Sequence, residues 1–358
     1  MKPTLILNDV HLGVARSAGT TPQSAAALKD DLLQGFAYLL RLGPDKVIIN
    51  GDLTDQFDIP LGEALDMYQV LDDWLSEKPD REMYLALGNH SLSKDSAKLG
   101  TEQFVGALLH LKHPDNFTLI DKPTDIGDGI YVVPHLVNQA HFDLALENVP
   151  TGTKYLLVHV NFDSTFAAQA DHSLNMSRAQ AKELTDRGIT VVFGHEHQGR
   201  TAFGGKVVIV GNQLSSSISD CMAHGDGQTD GKKFALILDD DGYHKVQTWS
   251  RSGPDGLDEI DWRDLKDRQG SRAFVRVIGE AEADEAADVI KAISNFRQRI
   301  GASTFVVTNA VKVAQLIDTD ELDVSAEDVR SVNVVEMLLE SLTEEQAAVV
   351  RALMEQEQ

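Results

Sequence analysis

Five sites along the chain carry histidine, aspartate or asparagine directly after an apolar run. They are Asn8-Asp9-Val10-His11, Asn50-Gly51-Asp52, Gly88-Asn89-His90, His159 and Gly194-His195-Glu196-His197. Carboxylates, neutral imidazoles and amide oxygens are ligands for divalent metal ions. Any one of these motifs is common by chance, but the five together predict metal chemistry.

The residue types fit a pair of ions. Two divalent ions about 3.5–4 Å apart need a carboxylate between them, and Asp52 is the natural bridge. Residues two apart in an extended segment project to one side, so His195 and His197 can reach both ions from one loop. Asn89 and His90 are adjacent and point in different directions. We therefore expect one of these two to be a metal ligand and the other a substrate contact.

Buried strands must position these side chains. Short apolar runs with little polar alternation predict strands buried on both faces. These runs are Thr4 to Leu7, Lys46 to Ile49, Met83 to Leu87, Ile130 to Val133, Tyr155 to Val158, Thr190 to Phe193 and Lys206 to Val210. Apolar residues at helical spacing over Leu28–Leu40 and Leu65–Leu75 predict helices between strands. The motifs then lie at the carboxyl ends of the strands, where open α/β sheets place their sites.

The sequence divides into three predicted regions. Residues 1–250 read as a layered α/β domain, and a polar, turn-rich stretch follows it. Residues 251–318 predict a small α+β domain, with a strand at 272–278, a helix at 286–300 and a second strand at 305–307. Residues 319–358 predict an acidic linker and two short amphipathic helices, which either fold back or dock on a partner.

Composition limits the chemistry and the location. The chain of 358 residues has 32 Lys plus Arg against 56 Asp plus Glu, a net charge of −24, which weighs against unaided binding of nucleic acid. A single cysteine, Cys221, excludes an intramolecular disulfide and a multi-thiolate zinc site. No apolar run suits a membrane span or a signal peptide. We expect a soluble cytoplasmic protein, or one in the host cytoplasm if its source is a phage.

The five motifs, in this order, resemble the signature of the calcineurin-like metallophosphoesterases. The resemblance implies a four-layer αββα sandwich with two divalent ions, usually Mn²⁺ where the activity is that of a nuclease. It implies that one ion is held by Asp9, His11, Asp52 and His197, and the other by Asp52, Asn89, His159 and His195. His90 would be the catalytic histidine that contacts the scissile phosphate and protonates or orients the leaving oxygen.

Within this superfamily, residues 8–13 and 51–55 look like the SbcD-type double-strand-break-repair nucleases, including bacteriophage versions. The order of phosphoesterase domain, small capping domain and helical tail is also similar. The resemblance implies a homodimeric DNA exonuclease and endonuclease subunit whose tail binds an SbcC-type ABC ATPase, in repair, recombination or degradation of DNA. The alternative is a phosphatase or phosphodiesterase acting on a nucleotide or phosphoprotein, because the same two-metal site serves these reactions.

Two positions depart from the family pattern. Ser91 stands where an aspartate commonly follows Gly-Asn-His, and a serine is a weaker, uncharged group for orienting an imidazole. Val158 stands where a glycine usually precedes the strand-end histidine. His159 is the histidine that directly ends a predicted strand in that region, and His135 and His141, expected in a loop, are its alternatives.

Overall fold

The computed structural model describes residues 1–14, 21–93, 98–164, 174–222, 233–248, 256–268, 273–300 and 304–314. Its contacts divide the chain into one unit of Met1–Gly279 with Ala287–Lys312 and a second of Glu280–Ala286 with Val313–Gln358. The predicted tail, 319–358, lies outside the described residues. The predicted boundaries at 250 and 318 stay predictions.

Strands and helices follow one another along the described residues. The strands are β1 (Thr4–Leu7), β2 (Lys46–Asn50), β3 (Glu82–Ala86), β4 (Phe117–Ile120), β5 (Thr124–Asp125), β6 (Ile130–Val133), β7 (Tyr155–His159), β8 (Asn161–Phe162), β9 (Asn175–Met176), β10 (Thr190–Gly194), β11 (Arg200–Ala202), β12 (Val207–Ile209), β13 (Phe234–Asp239), β14 (Gly242–Gln247), β15 (Leu257–Asp261), β16 (Phe274–Ile278), β17 (Glu280–Ala281), β18 (Val306–Asn309) and β19 (Lys312–Val313). The α-helices are α1 (Pro22–Leu39), α2 (Leu61–Glu77), α3 (Thr101–Lys112), α4 (Gln139–Glu147), α5 (Arg178–Asp186), α6 (Ile218–Cys221) and α7 (Ala286–Arg299).

Two six-stranded sheets form the centre of the first unit. One has the order β14-β13-β1-β2-β3-β4, with β1 to β4 parallel and the β13–β14 hairpin antiparallel at its edge. The other has the order β11-β12-β10-β7-β6-β5, with β12, β10, β7 and β6 parallel. All the strands that deliver the five motifs lie in these parallel regions.

Successive side chains of a central strand point to opposite faces of its sheet, and this places the sheets and helices in layers. In β1, Ile6 packs in the cluster between the two sheets, whereas Leu5 and Leu7 pack on the opposite face of their sheet against helices α1 to α3. In the second sheet, Leu157 packs between the sheets and Phe193 packs against α4 and α5. The layers are therefore helix, sheet, sheet, helix, and the predicted four-layer αββα sandwich is confirmed.

The predicted strands and helices of this region are confirmed to within a few residues at their ends. His159 and Gly194 are the last residues of β7 and β10, so the predicted site residues lie where these strands end. The β13–β14 hairpin, which completes one edge of the first sheet, was not predicted. Within the described ranges, no helix is long and apolar enough to cross a bilayer.

The predicted small α+β region has a sheet of its own. Strands β15, β16 and β18 are parallel, and α7 lies between β16 and β18 in the chain. The two strands and the helix predicted at 272–278, 305–307 and 286–300 are confirmed by β16, β18 and α7. Phe274 and Phe305 pack in the same apolar cluster as Leu5 and Phe36.

Candidate metal centre

The loops that follow β1, β2 and β10 have an unusual backbone. Asp9, His11, Asp52 and His195 have positive φ values of 49°, 54°, 49° and 79°. Such left-handed conformations cost non-glycine residues about 1–3 kcal/mol each and concentrate at functional sites. Two hydrogen bonds hold the first two loops together: the Asp9 N–H donates to Gly51 O at 3.2 Å, and the His11 N–H donates to Asp52 O at 3.1 Å.

The structure brings all the sequence-predicted site residues together at the carboxyl ends of the strands. Among the described residues, three groups have ligand atoms within 4.8 Å of one another: Asp9 with His11 and His197, Asp52 with His159 and His195, and His11 with Asp52 and His90. The Asn89 Oδ1 lies 3.1 Å from His159 Nε2 and 2.8 Å from His195 Nδ1. The first two groups each contain three of the four residues of one predicted ligand set. The division of these residues between two ions stays a prediction.

Two imidazoles face each other in the first group. His11 Nδ1 lies 3.3 Å from Asp55 Oδ1, and His197 Nδ1 lies 2.8 Å from Asp220 Oδ1. Because carboxylates accept hydrogen bonds, His197 Nδ1 is assigned as the donor to Asp220, and the nearby Asp55 carboxylate favours a proton on His11 Nδ1 as well. The two Nε2 atoms, 2.9 Å apart, then direct lone pairs at each other. A cation bound by both Nε2 atoms would remove this repulsion.

A cation would also suit the surroundings of His159 in the second group. Its Nδ1 donates to the backbone oxygen of Asn50 at 2.8 Å, which leaves its Nε2 facing Asp52 Oδ2 and Asn89 Oδ1, each 3.1 Å away. Although burial disfavours the charged form, Asp52 and Asp9 raise the pKa of His159 to about 9. A positive charge is therefore favoured at this point, and the donor set fits a divalent ion.

Burial and neighbouring charges shift the pKa values of the other predicted ligands in different directions. Burial opposes ionisation of Asp52, but His159 outweighs it and holds the pKa of Asp52 below its ordinary value. Burial and the neighbouring His159 lower the pKa of His195 to about 3, which keeps that imidazole neutral. Burial raises the pKa of Asp9, and the nearby charge of Asp52 acts in the same direction. A divalent cation would stabilise both carboxylates in their ionised forms.

His90 differs from the other histidines of the centre because its side chain is 36% exposed. Its backbone N–H donates to Asp52 Oδ1 at 3.0 Å, and its Nδ1 donates to the backbone oxygen of Asp55 at 2.5 Å. The Asp55 carbonyl thus orients the imidazole at a site where Ser91 replaces the usual aspartate. His90 Nε2 lies 3.8 Å from Asp52 Oδ2, at the open side of the centre.

The two alternatives to His159, His135 and His141, are outside the three groups of clustered ligand atoms. His135 is buried, and its Nδ1 donates to the backbone oxygen of His159 at 3.0 Å. Burial, with the neighbouring His159, lowers the pKa of His135 to about 4, so it supports the strand end as a neutral residue. His141 is an exposed residue of α4, so its expected place in a loop was wrong.

Sequence reasoning missed Asp220, which orients His197. It lies in α6, and its Oδ2 accepts from the backbone N–H groups of Ser216 and Ser217 at 2.9 Å each. The other oxygen, Oδ1, accepts from His197 Nδ1. The one signal in the sequence was the capping pattern of Ser217 followed three residues later by an acid.

The family model for calcineurin-like phosphoesterases matches residues 2–199. This range is more than half of the 358-residue chain and contains all the predicted ligands, so the chain belongs to the calcineurin-like phosphoesterases. A search among curated proteins found no match. Membership and the clustered Asp and His side chains indicate a phosphoester hydrolase that binds divalent metal ions.

We predict that Asp220→Ala weakens Mn²⁺ binding by about 10–100-fold, the usual effect of removing the partner that orients a metal-bound imidazole. Asp220→Asn should bind more tightly than Asp220→Ala, because its amide oxygen can still accept from His197. Isothermal titration calorimetry with Mn²⁺ measures both affinities. Asp186→Ala, at an exposed position of α5, is the matched control. Equal affinity of Asp220→Ala and wild type would contradict the assigned role.

Proposed function

We propose that the chain is the nuclease subunit of a DNA-processing complex and hydrolyses DNA phosphodiester bonds with two Mn²⁺ ions. In this proposal it acts as a homodimer with an SMC-like ABC ATPase of the SbcC type, in repair, recombination or degradation of DNA. The observation that carries the proposal is the pair of buried ligand groups with the partly exposed His90 beside them.

In this proposal the site residues have two roles, metal binding and proton transfer. Asp9, His11, Asp52 and His197 would hold one ion, and Asp52, Asn89, His159 and His195 would hold the other. When bound, the two ions would activate water and stabilise the negative charge on the phosphate oxygens. Because its Nδ1 is fixed by the Asp55 carbonyl, His90 presents Nε2, and in the imidazolium form this atom can give its proton to the leaving oxygen and leave a neutral imidazole.

A local excess of bases supports a polyanionic substrate. A cavity of about 660 Å³ beside α7 is lined by Arg263, Lys266, Lys291 and Arg299 with a single acid, Asp288. The Arg299 guanidinium donates to the backbone oxygens of residues 265 and 266, which fixes its position. A chain with a net charge of −24 concentrates bases here, and such bases can meet phosphate groups of a nucleic acid strand.

We predict that the full chain with Mn²⁺ degrades labelled single- and double-stranded DNA. Asp52→Asn should abolish the reaction, and His90→Ala should lower kcat by about 10²–10⁴-fold through loss of general acid catalysis. Gel assays with these variants and with His141→Ala, an exposed control, measure the effect. Phosphate monoesters, including a nucleotide and a phosphopeptide, are assayed in parallel. Hydrolysis of the monoesters without cleavage of DNA would contradict the proposal and favour the phosphatase alternative.

The proposed partner is tested separately. Deletion of residues 331–358 should abolish co-purification with the ATPase, because the predicted amphipathic helices would supply the docking surface. The same deletion should leave Mn²⁺-dependent hydrolysis of bis-p-nitrophenyl phosphate unchanged. Loss of hydrolysis together with co-purification would show instead that the tail belongs to the fold of the enzyme.

A further inference from the structure

Glu102 is a buried carboxyl group close to the metal centre but outside the predicted ligand set. It is the second residue of α3 and is 1% exposed. Glutamates are rarely buried unless their oxygens have specific partners, because desolvation of the carboxylate is costly. Its partners therefore indicate what it does.

The two oxygens of Glu102 contact two different loops of the centre. Oε1 accepts from the backbone N–H of Thr54 at 2.7 Å and lies 3.0 Å from the Thr54 hydroxyl. Oε2 accepts from the Ser91 hydroxyl at 2.6 Å. Thr54 lies two residues after Asp52, and Ser91 directly follows His90. A single carboxyl group thus joins the loop after β2 to the loop after β3.

The start of α3 is fixed to the same region. The Thr101 N–H donates to Phe57 O at 2.9 Å, and the Ile59 N–H donates to Thr101 Oγ1 at 3.1 Å. The backbone of Glu102 is consequently held by the segment that its side chain contacts. This leaves little freedom for the carboxyl group to move away from Thr54 and Ser91.

Burial shifts Glu102 towards its neutral form. Burial raises the pKa of Glu102 above its ordinary value, although the hydrogen bond from Ser91 acts in the opposite direction. As a neutral acid, Glu102 can accept from Thr54 at Oε1 and share a proton with the Ser91 hydroxyl at Oε2. Glutamine has the same shape, with an amide oxygen for Thr54 and an NH₂ group for Ser91.

We propose that Glu102 is a positioning residue for His90: its buried carboxyl group fixes the Asp52 and His90 loops relative to each other through Thr54 and Ser91. The Ser91 hydroxyl, at the position where the family commonly has an aspartate, is bound to Glu102. Glu102 thereby fixes the backbone that carries the imidazole, while the Asp55 carbonyl sets the direction of the ring. The inference rests on the proposed role of His90 in protonating the leaving oxygen.

The test compares Glu102→Ala, Glu102→Gln and Ser91→Ala with wild type on two diesters. DNA has a poor leaving oxygen and needs the proton, whereas bis-p-nitrophenyl phosphate has a good leaving group and needs it less. We expect Glu102→Ala to lower kcat on DNA about 10-fold or more, as changes behind active-site ligands do, with KM within about twofold. The loss on bis-p-nitrophenyl phosphate should be smaller, and Glu102→Gln should restore most of the activity.

Ser91→Ala keeps the buried acid and removes one of its contacts, so it tests the proposal even if Glu102→Ala fails to fold. It should lower kcat on DNA in the same direction as Glu102→Ala. Glu147→Ala and Glu147→Gln, at an exposed position of α4, are the matched controls.

Unchanged kcat in Ser91→Ala, or a Glu102→Gln variant no better than Glu102→Ala, would overturn the proposal. If wild type cleaves only bis-p-nitrophenyl phosphate, the nuclease proposal fails by itself. The kcat, KM and glutamine rescue measured on that diester then still test Glu102.

Discussion

The buried Asp52 carboxylate is the group on which the rest of the centre depends. Its Oδ1 accepts the backbone N–H of His90 at 3.0 Å, and its Oδ2 faces His159 Nε2 at 3.1 Å. A Cβ atom at Gly88 would lie 2.0 Å from Asp52 Oδ1, and one at Gly51 would lie 2.0 Å from His159 Nδ1. The Asp52 carboxylate therefore requires a glycine at 88, and the His159 imidazole requires one at 51. The backbone of Asp52 itself adopts a left-handed conformation at φ 49°.

The two sheets bring the predicted metal ligands to one place. The first sheet supplies Asp9, Asp52 and Asn89 from its parallel strands, and the second supplies His159 and His195. The apolar layer between the sheets fixes the distance between these strand ends, since packed cores resist deformation. The strained loops can persist because the surrounding strands determine them. The resulting site is buried at Asp9, Asp52 and His159 and partly exposed at His90.

Much of this could be read from the sequence. The apolar runs predicted the central strands, and the order of the motifs predicted that Asp9, Asp52, Asn89, His159 and His195 meet, because the carboxyl ends of parallel strands lie together. Local patterns report what each residue does within its own strand or loop. The helical spacing at 286–300 also predicted α7 between the two strands of the small α+β region.

Other features depend on contacts that no local pattern specifies. Glu102 and Asp220 lie on helices far along the chain from the residues they hold, and neither belongs to a metal-ligand motif. The β13–β14 hairpin is remote in sequence from β1, its neighbour in the sheet, so its place at that edge was not apparent. His141 was expected in a loop, because the short helix α4 that contains it was not predicted. These residues became visible only through their packing and hydrogen bonds.

The central claim is that one buried carboxylate organises a site for two metal ions. Metal-free chain titrated with Mn²⁺ and followed by calorimetry tests it most directly, with elemental analysis of the loaded chain as a count. The account predicts two ions per wild-type chain, two in the exposed variant Asp186→Asn, and neither ion tightly bound in Asp52→Asn, since both ions would share this proposed ligand. A wild-type chain that binds one ion or none, or an Asp52→Asn chain that still binds two, would contradict it.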